Sequence, residues 1–98
     1  MKELQAKKLK IKQQLYHHFL DMEQQESELK QVESFLLPTA QKAAQLAQLG
    51  YKKGLYSYFE LSIAISRLFE ETRHYQDSHA KLDKAKINIL GLLRSGIK

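Results

Sequence analysis

The first half of the chain places apolar side chains at alternating steps of four and three residues. Nine of the thirteen positions in this series are apolar: Leu4, Lys8, Ile11, Leu15, His18, Met22, Gln25, Leu29, Val32, Leu36, Thr39, Ala43 and Leu46. A second series of ten positions, seven of them apolar or aromatic, follows the same steps: Leu61, Ile65, Leu68, Thr72, Tyr75, His79, Leu82, Lys86, Ile89 and Leu93. Such steps keep side chains on one stripe of a helix, so two long helices with coiled-coil-like faces are predicted.

A short segment rich in turn signals separates the two series. Gly50 and Gly54 are candidates for the left-handed residue that ends a helix, so helix 1 is predicted to end between residues 50 and 53. Ser57 is followed three residues later by Glu60, which is the sequence pattern of a capping box. Helix 2 is therefore predicted to begin at Ser57, with Ser57 and Glu60 as its cap.

A turn of this length makes consecutive helices antiparallel neighbours. The predicted fold is all-α, a single long antiparallel αα-hairpin with coiled-coil-like packing. Its predicted parts are helix 1 at about 3–50, a tip at 51–56 and helix 2 at about 57–93. Pro38 lies within the first series and has no backbone N–H to donate, so helix 1 is predicted to kink or restart near Leu37.

The length and composition of the chain argue against an enzyme, a disulfide-stabilised domain and a membrane-spanning helix. The chain has 98 residues, no cysteine and a formal net charge of +5. One small domain of this size does not enclose a substrate pocket, and no serine, histidine and carboxylate set has a catalytic spacing, so an enzyme is not expected. The lack of cysteine excludes a disulfide scaffold. No apolar run approaches the roughly 20 residues of a membrane span, and the first ten residues are too charged for a signal peptide.

Several large apolar residues lie off both series, among them Phe19, Phe35, Ile63 and Phe69. A second apolar face predicts further helices around the hairpin, because one seam leaves most of each helix exposed to water. Those helices would come from another copy of the chain or from a larger protein. Self-association of the isolated chain is therefore expected.

Five motifs follow one another between Ser34 and Gly91. They are Leu37-Pro38-Thr39-Ala40, Tyr51-Lys52-Lys53-Gly54, Glu60-Leu61-Ser62-Ile63-Ala64, Tyr75 and Leu90-Gly91. In this order they resemble the C-terminal part of the outer membrane efflux proteins, the TolC-like channels of tripartite export systems, and the tip looks nearest to the heavy-metal cation efflux branch. The chain departs from the family pattern in two respects. Ser62-Ile63-Ala64 stands where Leu-Asp-Ala is common, and Glu60 replaces the commoner aspartate.

The resemblance implies a fragment, excised or naturally truncated, of a larger channel protein. The chain would be the second periplasmic hairpin of a Gram-negative outer membrane protein whose signal peptide and membrane strands are absent from these 98 residues. In its full-length context such a protein is a homotrimer that works with a periplasmic adaptor protein and an inner-membrane pump. The tip that would dock on the adaptor comprises Tyr51, Lys52, Lys53, Gly54, Leu55, Tyr56 and Ser57. The exported substrate, metal cation or drug, stays open.

The residues of the tip suit docking, since a glycine turn admits a partner closely and lysines surround apolar side chains. The alternative is an ordinary polar hairpin turn. The chain would then be a free-standing helical hairpin that acts as a coiled-coil protein–protein interaction module.

The histidines and the basic N-terminus suggest two further sites. His17 and His18 are adjacent and His74 and His79 are five residues apart, so neither pair has the i, i+4 spacing that brings two imidazoles to one ion. No metal or other cofactor is expected.

Five lysines cluster at the N-terminus, which would suit nucleic acid or an anionic membrane surface: Lys2, Lys7, Lys8, Lys10 and Lys12. They are not interleaved with aromatic residues, so no nucleic-acid partner is expected.

Overall fold

The computed structural model of the chain describes residues 2–96, and they form one extended helical hairpin. Helix α1 spans Lys2–Gln31, a π-helical turn spans Val32–Leu36, α2 spans Leu37–Lys52, and α3 spans Tyr58–Gly96. No strand occurs among the described residues, and the rod measures 77 × 17 × 15 Å. The predicted all-α hairpin is confirmed.

The helix ends lie close to their predicted positions. The first helical run ends at Lys52, within the predicted range of 50 to 53, and α3 begins at Tyr58 directly after Ser57. The far end of α3 reaches Gly96, a few residues beyond the predicted end at about 93. Gly91 is a helical residue within α3, because a single glycine weakens a helix without ending it.

The irregularity predicted near Pro38 is the π turn. The backbone N–H of Leu37 donates to the carbonyl of Val32, five residues back rather than the usual four. Pro38 then lies in the first turn of α2, where its missing N–H is tolerated. The Ser34 hydroxyl donates to the Lys30 carbonyl in the same region. The π turn therefore lets Pro38 follow without breaking the helical run, and α-helical hydrogen bonding resumes at Leu37 as predicted.

The π turn adds one residue to the helix and shifts the stripe that faces α3. Beyond it the buried positions are Ala40, Ala44, Ala47 and Gly50. The predicted stripe positions Thr39, Ala43 and Leu46 are exposed, so that part of the prediction is wrong. The reason is geometric, since one extra residue in a turn advances every later side chain by one position.

The stripe of α3 also departs from the predicted series in its second half. Ser78, Leu82, Ala85 and Ile89 are buried there. The predicted members His79 and Lys86 are exposed, as is Leu93. A three-residue step from Tyr75 to Ser78 replaces the expected four. In this register the His79 imidazole and the Lys86 ammonium group stay in water, so neither incurs the free-energy cost of burial. The small residues Ser78 and Ala85 lie between the helices instead.

Candidate docking surface at the hairpin tip

The end of α2 is closed by hydrogen bonds between backbone groups. Leu55 N–H donates to the Gly50 carbonyl at 2.8 Å, and Gly54 N–H donates to the Tyr51 carbonyl at 3.0 Å. This pair is the Schellman motif, whose central residue needs positive φ. Gly54 supplies it, with a φ of +75°. Of the two glycines considered from the sequence, Gly54 alone is the left-handed cap.

The start of α3 is closed by its own side chains. Glu60 N–H donates to Ser57 Oγ at 3.2 Å, and Ser57 N–H donates to Glu60 Oε2 at 3.1 Å. These reciprocal bonds form a capping box and satisfy two backbone donors that the helix leaves unpaired. The negative charge of Glu60 also lies favourably at the positive end of the helix. Both ends of the loop are therefore fixed, and Leu55 and Tyr56 lie between them.

Gly50 has a role that the sequence did not reveal. It is a buried helical residue, and the ring of Tyr56 lies directly over its α-carbon. A Cβ at position 50 would meet three atoms of that ring, including Cγ, which is anchored close to the backbone. Glycine is therefore required here by close packing and not by its backbone conformation. The contact ties the loop to the last turns of α2.

The seven predicted tip residues lie together at one end of the rod. Tyr51 and Lys52 are in the last turn of α2, Lys53 caps it, and Gly54 to Ser57 form the loop. Leu55 is 73% exposed, and Phe59, just inside α3, is 72% exposed. Tyr51 and Tyr58 make an edge-to-face contact with ring centroids 6.2 Å apart. Lys52 and Lys53 are also exposed. The tip is thus a fixed apolar surface bordered by two positive charges.

In the half of the hairpin next to the tip, small residues of α2 lie inside and large apolar side chains of both helices lie outside, although Leu61 of α3 is buried. Alanines and a glycine of α2 face α3: Ala40, Ala44, Ala47 and Gly50. Larger apolar side chains of the same region are exposed: Leu46, Leu49, Ile63 and Phe69. A helical hairpin that is complete by itself buries its larger apolar residues. This inverted distribution leaves large apolar side chains on the outer faces of the hairpin.

A polar pair joins the helices midway along the rod. Nε2 of His74 in α3 lies 3.0 Å from Oε1 of Glu28 in α1. Nδ1 of the same ring lies 3.5 Å from Oε2 of Glu71, one turn earlier in α3. The hydrogen bond with Glu28 raises the pKa of His74 above 6.5; partial burial opposes this shift, and Glu71 reinforces it. Sequence reasoning missed this pair, because Glu28 and His74 are 46 residues apart. The Glu71–His74 spacing of i, i+3 was the one local signal.

The other histidines do not converge on a common site. His79 is exposed, with Nδ1 3.2 Å from Oδ2 of Asp83, and His17 lies beside Tyr16. Within residues 2–96, no group of three or more histidine, cysteine, aspartate or glutamate side chains has the arrangement of a metal site. Among the same residues, no helix combines the length and apolarity needed to cross a bilayer.

Comparison of the chain with models of known protein families, with curated proteins and with solved structures finds no match.

Proposed function

We propose that the chain is a periplasmic α-helical tunnel segment of an outer membrane efflux channel, and that its tip docks on the periplasmic adaptor of a tripartite export system. The observation that carries the proposal is the inverted distribution near the tip, where Ala44 and Ala47 lie inside and Leu46 and Leu49 lie outside. Helices in a tunnel wall have neighbours on both sides, which explains large apolar residues on outer faces. The motifs between Leu37 and Gly91 that resemble this family support the same proposal.

The tip geometry is suited to docking. A Schellman motif and a capping box hold the loop from both sides, so a partner meets Leu55 and Phe59 without first ordering them. Lys52 and Lys53 border the apolar surface and favour a partner with acidic side chains around an apolar centre. In this proposal the adaptor provides that partner surface, and the full-length protein assembles as a homotrimer that serves an inner-membrane pump.

Export by the full-length protein tests the proposal. Leu55→Glu places a charge in the centre of the docking surface, and Gly54→Trp imposes a bulky residue at a positive φ. Each is expected to lower export about tenfold or more while leaving the helical content unchanged. Gln41→Glu adds the same charge at an exposed position of α2 more than two turns from the tip, and should export normally. Normal export by both tip variants would refute the docking role.

The second candidate function is a free-standing helical hairpin that acts as a coiled-coil interaction module. Exposed apolar residues along the whole rod favour it, since they would also be covered by a second copy or a partner helix. The coding sequence upstream of Met1 separates the two functions. A signal peptide, membrane strands and a first helical repeat there support the channel segment, whereas an independent start of translation supports the module.

A further inference from the structure

The end of the hairpin opposite the tip is basic. We call residues 3–20 and 86–95 the open end. It carries six basic side chains, Lys7, Lys8, Lys10, Lys12, Lys86 and Arg94, against one carboxylate, Glu3, which gives a net charge of +5. All six are exposed. The acidic residues nearest to it, Asp21 and Asp83, lie just beyond its boundary.

Within residues 2–96, the helical run before the tip is longer than α3, so the first turns of α1 lie beyond the last described residue of α3. Segments of 30, 5 and 16 residues run continuously to the tip, 51 in all, whereas α3 has 39. At 1.5 Å per residue, α1 extends about 18 Å beyond the last described residue of α3. This overhang contains Leu4 and Leu9, both more than half exposed, and four of the lysines.

Large apolar side chains accompany the charges throughout the open end. The exposed ones are Leu4, Leu9, Tyr16, Phe19, Leu20, Ile87, Leu90 and Leu93. Ile87, Leu90 and Arg94 line a shallow groove on α3. Lysines, leucines, isoleucines and aromatic residues are the residue types found on helices that lie in the headgroup region of a bilayer.

We propose that the open end binds the surface of an anionic lipid bilayer. The lysines would lie at the lipid phosphates, and Leu9 and Leu20 would enter the boundary between headgroups and acyl chains. A single-stranded nucleic acid fits less well, because six of the eight exposed apolar side chains are aliphatic and offer no surface for base stacking. A duplex would engage the lysines through its phosphates but leave these apolar side chains in water. The acidic middle of the rod, with Glu23 and Glu26, would be repelled from the lipid, which confines binding to the end.

Vesicle co-sedimentation with the 98-residue chain tests the proposal. Vesicles of phosphatidylglycerol and phosphatidylcholine should bind the chain, and pure phosphatidylcholine vesicles should bind it at least about tenfold more weakly. Raising the salt from about 0.05 M to about 0.5 M should release the chain from the anionic vesicles, because salt screens exposed charges. Equal binding to both vesicle types, or binding that salt does not weaken, would overturn the proposal.

Two charge-matched variants locate the surface. Replacing Lys7, Lys8, Lys10 and Lys12 by glutamine should weaken binding to anionic vesicles on the order of a hundredfold or more, since each cation near such a surface contributes about fivefold. Replacing Lys30, Lys42, Arg67 and Arg73 by glutamine makes the same change in net charge away from the open end. That control should stay within about twofold of the wild type. Equal losses in the two variants would show non-specific attraction and refute the assignment.

A single tryptophan reports which part of the rod touches lipid. The chain contains none, so Leu9→Trp and Leu55→Trp each provide an unambiguous fluorophore. Anionic vesicles should shift the emission of Trp at position 9 to the blue and leave that at position 55 unchanged, since the rod is 77 Å long. A blue shift at position 55 alone would overturn the proposal. So would binding to a DNA duplex at the same salt that is as tight as binding to the vesicles.

Discussion

The aromatic ring of Tyr56 lies so closely over the α-carbon of Gly50 that no side chain larger than hydrogen fits between them. This contact joins the loop to α2 and sets the path by which the chain reverses. It also explains why two glycines near the reversal, Gly50 in α2 and Gly54 in the tip, have different roles. Gly54 provides a positive φ, and Gly50 provides space.

Gly50→Ala tests this contact, because its effect on the free energy of unfolding should have opposite signs with and without the Tyr56 ring. In the wild type the new methyl group collides with Tyr56, and a loss of about 1–3 kcal/mol in the free energy of unfolding is expected. In a Tyr56→Ala background the collision is absent, so the same substitution should stabilise the helix by up to about 1 kcal/mol. Denaturant unfolding of the wild type, the two single variants and the double variant measures both effects. Destabilisation of similar size in both backgrounds would contradict the contact.

Gly54→Ala and Gly91→Ala form a matched pair that separates backbone conformation from space. A methyl group added at either position meets no neighbouring atom, yet only Gly54 has positive φ. Gly54→Ala should cost about 1–2 kcal/mol, because an L-residue is strained there. Gly91→Ala should stabilise by up to about 1 kcal/mol, because alanine is the better helix former. Thermal unfolding decides, and a loss of stability in both variants would refute this assignment.

The His74–Glu28 contact should make the stability of the hairpin depend on pH. Since folding raises the pKa of His74 above 6.5, its contribution is complete below pH 6.5 and is lost as the pH rises through the raised pKa. The melting temperature should therefore fall between pH 6 and pH 9 by more in the wild type than in His74→Gln. His17→Gln removes an exposed histidine and should retain the wild-type dependence. An unchanged dependence in His74→Gln would contradict the prediction.

The π turn predicts the outcome of a deletion. Removing Phe35 deletes the extra residue and returns Ala40, Ala44 and Ala47 to the regular series, but it places Pro38 inside a continuous α-helix. The single deletion should therefore cost about 3 kcal/mol. Adding Pro38→Ala to the deletion should recover most of that loss, whereas Pro38→Ala alone should change stability by less than about 1 kcal/mol. Urea unfolding measures all three, and no recovery in the double variant would refute the explanation.

The helix ends could be predicted from the sequence, because each depends on residues close to one another in the chain. The αL glycine at position 54 and the pattern Ser57–Glu60 each act within a few residues, and both lie at the expected helix ends. The prediction of the buried stripe beyond Leu36 was wrong because a π turn shifts all later side chains by one position. A π turn has no reliable sequence pattern from which this shift could be predicted. The Glu28–His74 pair could not be predicted, because the contact depends on the register between two helices.

Photo-cross-linking at the tip tests the docking role most directly. A photoreactive phenylalanine analogue at position 55 of the full-length protein, in its own cells, contacts whatever covers the most exposed apolar side chain of the loop. The same analogue at Gln41 serves as the control away from the tip. We expect a covalent product at position 55 that contains a periplasmic adaptor protein, and no such product at position 41. A product at position 55 that contains only a second copy of the chain would contradict the docking role.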